Sequence, residues 1–330
     1  MILAPLAMLM APPPPTPSPS EREVIFPGFN AVQLKGSVRP AAGHPFFAVL
    51  VAGSGPTDRD WSNPLIPVPS HSGRDVAAWL QSQGLGSLRF DKRYIGSRDS
   101  GLDISLDAQV GDIRAALRAA KALPEAKGRK LLLVGHSEGA VLSLLATAEA
   151  DALLLLAMPG EPLGKLVLTQ VREQFEQAGA AAHVIRANMD FLESVLEAIR
   201  KGSTPPPAGE EVLPNISILA RSLANPRSLA FFRAEMDLDP WMLAARVPVP
   251  MAAAWGDRDV QVRRPRIPSS FPGEVIDLPG ANHLLRRETL ALKELNPALA
   301  MGGYGDGTPL ADLGPLAAWL ARLGRAEPLR

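Results

Sequence analysis

Three residue types that together open an acyl bond occur in this chain in a workable order: Ser137, then a carboxylate at Asp257 or Asp259, then His283. A serine hydroxyl is a weak nucleophile at its own pKa. It needs a base within hydrogen-bond reach and a carboxylate that orients the base. Ser137 lies in Gly135-His136-Ser137-Glu138-Gly139, directly after the apolar run Leu131-Leu132-Leu133-Val134 and directly before Ala140-Val141-Leu142-Ser143-Leu144-Leu145. A strand, a Gly-x-Ser-x-Gly turn and a helix in that order hold a serine up at a sheet edge, and the glycines keep Cβ atoms out of the turn. The five-letter pattern alone is weak; the strand before it and the helix after it make it informative.

In that arrangement the acid and then the histidine follow the serine. His283 is the last histidine and sits in Pro279-Gly280-Ala281-Asn282-His283, past the final apolar strand. It is the expected general base. Gly256-Asp257-Arg258-Asp259-Val260 leaves a strand end and offers two acids. Asp259 is chosen, with Asp257 expected to be a turn residue bonded to its own backbone. The developing oxyanion needs backbone N–H groups. One is assigned to Glu138, after the nucleophile and at the positive end of its helix. The other is assigned to Ser54 in Gly53-Ser54-Gly55, with Gly55 as the alternative. Asp58-Arg59-Asp60 and Asp91-Lys92-Arg93 are charge runs at the same sheet edge, with Asp58, Arg59, Asp60, Asp91 and Arg93 taken as supporting residues, and the runs are expected to form a network that fixes the oxyanion loop or to be solvated. His136, His44, His71 and His183 read as structural or exposed.

The elements that must position these residues alternate from Glu21 onward, which implies a mostly parallel sheet with helices on both faces. Residues 24–29 and 31–38 read as a leading hairpin. Strands are expected at 46–51, 85–90, 152–158, 250–255 and 274–278, and helices at 71–83, 107–123 and 310–323. The chain divides into a first core part (21–158), a second core part (248–330), and between them a helical insertion (159–247), too long for a loop and read as a lid after the sixth strand. Helical faces in the insertion include Leu166, Val167, Val171 and Phe175, then Phe191, Leu192, Val195, Leu196 and Ile199.

Composition narrows the chemistry. Lys plus Arg and Asp plus Glu balance at 34 each, which gives no electrostatic case for nucleic acid or an anionic membrane. With no cysteine there is no thiolate nucleophile, disulfide or cysteine-bound metal. The five histidines show no metal-ligand spacing, so neither metal nor cofactor is expected. Residues 1–10 are apolar but too short to span a bilayer, and lack the basic residues that precede a signal's apolar region. With the proline-rich 11–20 they read as an export segment and extended spacer, the alternatives being a misplaced start or a tail.

The motifs Gly53-Ser54-Gly55-Pro56-Thr57-Asp58-Arg59-Asp60, Asp91-Lys92-Arg93, Gly135-His136-Ser137-Glu138-Gly139, Gly256-Asp257-Arg258-Asp259-Val260-Gln261-Val262 and Asn282-His283 resemble the α/β-hydrolase superfamily. Within it they are similar to a bacterial serine-aminopeptidase-like or prolyl-oligopeptidase-like branch that includes carboxylesterases. The resemblance implies an eight-stranded sheet, a helical lid and the triad Ser137, Asp259 and His283, and it supports Asp259 over Asp257. Two departures lie near the expected pocket: Tyr94 follows Asp-Lys-Arg where glycine is usual, and Leu284-Leu285-Arg286 follows the histidine where Leu-Phe-Gln is common.

The function expected is hydrolysis of esters with small or medium acyl groups. A peptidase with the same triad is the alternative, needing an acid such as Glu161, Glu173 or Glu193 to hold a substrate amine. A non-catalytic binding protein of the same fold is the third reading. The expected partner is a small ester or short peptide; oligomeric state stays open.

Overall fold

The computed structural model describes residues 21–325 apart from 67 and 100. The apolar start and proline run at 1–20 lie outside the described residues. Apolar runs that need cover on both faces become the centre of one eight-stranded sheet. Its strands are β1 (Arg22–Pro27), β2 (Gln33–Arg39), β3 (Phe46–Val51), β4 (Gly86–Phe90), β5 (Lys130–His136), β6 (Ala152–Leu156), β7 (Met251–Gly256) and β8 (Glu274–Leu278). Their order across the sheet is β1-β2-β4-β3-β5-β6-β7-β8. β2 runs antiparallel to both β1 and β4, and every pairing from β4 across to β8 is parallel.

The chain separates into two compact units. The larger holds the sheet together with helices α1 (Ser72–Ser82), α2 (Leu106–Ala122, from residue 107) and α3 (Glu138–Leu145). The smaller comprises 103–106 and 161–239, with α4 (Leu163–Gln177), α5 (Ala182–Lys201), α6 (Pro214–Leu223) and α7 (Leu229–Glu235). Val171, Leu192, Val195, Leu196, Ile216, Leu219 and Phe232 form its own apolar core. The helical faces expected at Val167–Phe175 and Leu192–Ile199 are the buried ones, whereas Leu166 and Phe191 are half-buried. Residues 240–247, assigned to the insertion from sequence, belong instead to the larger unit, which continues with α8 (Pro240–Ala244), α9 (Pro297–Gly302) and α10 (Gly314–Arg325).

Alternate residues along a strand face opposite sides. Ala48, Leu50, Leu132, Val134, Leu154 and Ala254 share one side with Val76 and Leu80 of α1 and Leu316, Trp319 and Leu320 of α10. Gly135 belongs to the other side, where α3 lies so close that a Cβ on Gly135 would stand 2.4 Å from Gly139 O. The last helix begins at Gly314 rather than 310. Leu310 bridges to Arg286, Ala311 N–H bonds Leu285 O at 2.9 Å, and Asp312 Oδ1 accepts from Gly314 N–H at 2.8 Å. The chain is thus spoken for by the histidine loop before Pro315 starts the helix. No helix among the described residues is long and apolar enough to cross a membrane.

Candidate active site

Ser137 terminates β5 and precedes α3, with φ 55° and ψ −124°. This left-handed backbone is costly for a residue with a Cβ, and such strain persists where the surroundings enforce it. Here Ser137 N–H bonds Leu156 O at 2.9 Å, and Ser137 O accepts from Ala140 N–H at 2.9 Å. The flanking glycines have ordinary φ, so they serve close approach rather than φ freedom. A Cβ at Gly139 would fall 2.5 Å from Ala52 O. As the first residue of α3, Glu138 carries an N–H that has no intrahelical carbonyl to bond.

Asp259 and His283 meet: His283 Nδ1 and Asp259 Oδ2 are 2.8 Å apart, both residues buried. The other Asp259 oxygen accepts the N–H groups of Gln261 at 2.7 Å and Val262 at 2.8 Å. That carboxylate is fixed in position and supplied with donors, so Nδ1 must carry a proton to bond it, and Nε2 of the neutral ring is then the basic nitrogen. The histidine loop is folded around Asn282. Its Oδ1 accepts Leu284 N–H and Arg286 N–H, both at 3.0 Å, and Leu285 takes φ 59°. Buried Arg286 anchors the loop, donating to Asp75 and Asp306, each at 2.9 Å. Asp257 is 50 % exposed and its Oδ1 accepts from Gly280 N–H at 2.7 Å. It braces the neighbouring loop, and does not bond its own backbone as expected from sequence.

His136 joins the Ser137 turn to this loop. Its Nε2 donates to His283 O at 2.8 Å, and its ring stacks on Trp61 with centroids 4.7 Å apart. Burial, then the neighbouring His283 charge, push its pKa down to about 3 in spite of that bond. A group this hard to protonate is no general base at neutral pH. It is a neutral strut whose partner, a backbone carbonyl, has no sequence signature.

The Gly53–Gly55 loop passes beside Ser137: a Cβ on Gly53 would lie 3.1 Å from His136 Nδ1 and 3.2 Å from Ser137 Cβ. Ser54 O accepts Thr57 Oγ1–H at 2.7 Å, and Gly55, with φ 71°, accepts the Tyr94 hydroxyl at 2.8 Å. Lys92, within the charge run Asp91-Lys92-Arg93, donates to Gly53 O, and stands 3.4 Å from both Gly55 O and Glu138 Oε1. Burial works against its charge, but Tyr94 and Glu138 outweigh burial and its pKa is raised.

The flanking charges form separate buried clusters, and one of them, Arg59 with Asp91, joins the two runs as expected. Arg59 bonds Asp91 through its backbone N–H at 2.9 Å and Nε at 3.1 Å. Asp60 pairs with Arg89, which also binds Glu21, and Arg93 pairs with Asp112. Glu21, Arg89 and Asp112 lie outside the charge runs visible in the sequence. Glu161 pairs with Lys165 in the smaller unit, where Glu173 and Glu193 also lie. Among the described residues, no group of three or more His, Asp or Glu is arranged to hold a metal ion.

Asp58 has no arginine partner of this kind: its Oδ1 accepts Asp60 N–H and Ser62 N–H, both at 2.9 Å. Burial first, and the nearby Asp60 and Asp91 charges, raise its pKa from 3.8 to about 6 against those bonds. A raised folded pKa means that its stabilisation is complete below the unfolded value and is lost as pH rises through the folded one. Asp58→Asn keeps an acceptor for both N–H groups without the charge. The variant is therefore expected to exceed the parent in stability by about 2–3 kcal/mol at pH 8, and to lose that advantage by pH 4. Urea melts at the two pH values check this; a pH-independent difference would contradict it.

A family model described as "Alpha/beta hydrolase family" matches residues 48–294. Esterase EstD of Thermotoga maritima is 30% identical over 227 residues, covering 68% of this chain and 49% of EstD. Polyketide transferase ATR5 of Stachybotrys chlorohalonatus is 40% identical over 76 residues, covering 22% of this chain and 26% of its own length. The chain thus spans about half the length of the first and about a quarter of the second. In fold it is similar to the Pyrococcus furiosus esterase PF2001, with a TM-score of 0.50 and 15% identity over 82% of this chain and 88% of that one. A match that spans residues 48–294, from β3 past the Ser137 turn and the loops of Asp259 and His283, means that the chain belongs to the alpha/beta hydrolase family.

Proposed function

We propose that this chain is a serine hydrolase that cleaves carboxylic esters of small to medium acyl groups through an acyl-enzyme on Ser137. The observation that carries the reading is the 2.8 Å bond between His283 Nδ1 and Asp259, whose other oxygen is held by two backbone N–H groups. The bond from His136 to His283 O supports it, because it ties this pair to the residue beside Ser137. The curated relative named an esterase supports the ester as substrate class.

In this reading Ser137 Oγ attacks the ester carbonyl and His283 Nε2 takes its proton, while ionised Asp259 stabilises the imidazolium. The N–H groups of Glu138 and Ser54 receive the oxyanion. The tetrahedral adduct collapses, His283 returns the proton to the leaving alcohol, and water repeats the sequence to release the acid. A fluorophosphonate is expected to label Ser137, located by mass spectrometry, in protein that hydrolyses a chromogenic acetate ester. Active protein with Ser137 unmodified would sink the proposal. A panel of esters of increasing acyl length, each paired with the aminoacyl amide of matched size, reads the substrate class: esters are expected to have the higher kcat/KM, and a preference for amides would favour a peptidase.

A further inference from the structure

Lys92 and Tyr94 follow the end of β4 and meet the Gly53–Gly55 loop through its carbonyl oxygens. The Lys92 ammonium, with three protons to place, faces Gly53 O, Gly55 O at 3.4 Å, Glu138 Oε1 at 3.4 Å and the Tyr94 hydroxyl. The Tyr94 hydroxyl adds a second bond to Gly55 O at 2.8 Å. In a planar trans peptide the C=O of one residue and the N–H of the next point in opposite directions. Gly53 O held toward Lys92 therefore turns the Ser54 N–H to the opposite side of the loop. Gly55 is followed by Pro56, which has no N–H, so its carbonyl serves purely as an anchor. The third acceptor is on Glu138, whose own N–H opens α3 beside the nucleophile.

We infer that Lys92 and Tyr94 are positioning residues for the oxyanion hole: Lys92 sets the direction of the Ser54 N–H through the carbonyl of the same peptide and ties that loop to Glu138, and Tyr94 fixes the loop's far end. The inference rests on the serine-hydrolase reading above. In this role both side chains act through the loop and not as catalytic residues. Their effect is on the transition state because they orient a donor that bonds an oxygen charged only there.

The test uses the full chain with Lys92→Met and, because the first removes a buried charge, Tyr94→Phe, which removes one hydroxyl. A trifluoromethyl ketone, which forms a charged tetrahedral adduct with a serine nucleophile, serves as the probe beside a chromogenic acetate ester. Lys92→Met is expected to lower kcat by about 10²-fold and to weaken the ketone by the same factor, with KM held within about twofold. Tyr94→Phe is expected to lower both by about 3- to 10-fold while melting like the parent. A purely structural role would alter the melt or KM without this parallel loss. If both variants keep kcat and ketone affinity, or Tyr94→Phe does so where Lys92→Met fails to fold, the positioning role is overturned although the parent still labels at Ser137. A parent that takes no fluorophosphonate at Ser137 overturns the hydrolase reading and this inference with it.

Discussion

Asp259→Asn is expected to lower kcat for a chromogenic ester by about 10⁴-fold, approaching the loss in Ser137→Ala, while Asp257→Asn changes it by less than about threefold. The size follows from which oxygen does what. Asp259 Oδ1 accepts N–H groups from Gln261 and Val262, so an asparagine in its place must put its carbonyl oxygen there. Its NH₂ group then occupies the Oδ2 position, 2.8 Å from His283 Nδ1, and donates to it. Nδ1 becomes an acceptor, the ring proton moves to Nε2, and the nitrogen needed as a base is blocked. The packing stays, so the melting temperature of Asp259→Asn should remain near the parent's. Asp257 is half exposed and bonds Gly280 N–H, a contact asparagine also makes. Steady-state kinetics on the three variants check this. An active Asp259→Asn, or a loss confined to Asp257→Asn, would transfer the acid's role to the other carboxylate.

The parts of this site that were legible in the sequence are those with a local cause. The run Leu131–Val134 has no polar face, so it must be covered on both sides, and a Gly-x-Ser-x-Gly turn after it exposes its serine whatever the remote contacts. The placement of Ser137, Asp259 and His283 past the ends of β5, β7 and β8 was legible for the same reason. What stayed hidden depends on partners remote in the chain. His136 was visible beside Ser137, but it bonds a carbonyl 147 residues on, and every residue has a carbonyl. Lys92 was visible within its charge run, but its bonds to Gly53 O and Gly55 O were hidden in the same way. Tyr94 was noticeable as a departure, yet nothing local says that its hydroxyl reaches Gly55. The charged runs were legible in part: Arg59 pairs with Asp91 across them, whereas Asp60 and Arg93 point to different sides and find Arg89 and Asp112.

The second large effect is on stability, at the pair that holds the segment bearing Lys92. Arg93 Nε and Nη2 bond the two oxygens of Asp112 on α2, each at 2.7 Å, with side chains 1% and 4% exposed. Asp112 Oδ1 also accepts Phe29 N–H at 2.8 Å, and Arg93 Nη2 donates to Phe29 O at 3.1 Å. The pair thus joins the end of β4, α2 and the turn between β1 and β2. Asp112→Ala removes the carboxylate that the buried Arg93 guanidinium bonds twice, and the acceptor of Phe29 N–H. It is expected to cost about 3–5 kcal/mol, a large share of the 5–15 kcal/mol that holds an ordinary domain. Arg93→Met leaves the carboxylate with one donor and is expected to cost about 3 kcal/mol. Removing both ends strands neither charge, so Arg93→Met with Asp112→Ala should fall short of the summed losses by about 2–3 kcal/mol. Urea denaturation of the parent, the two single variants and the double variant measures that coupling. Additive losses would mean that the pair does not act as a unit, and that the segment carrying Lys92 is held by its apolar packing instead.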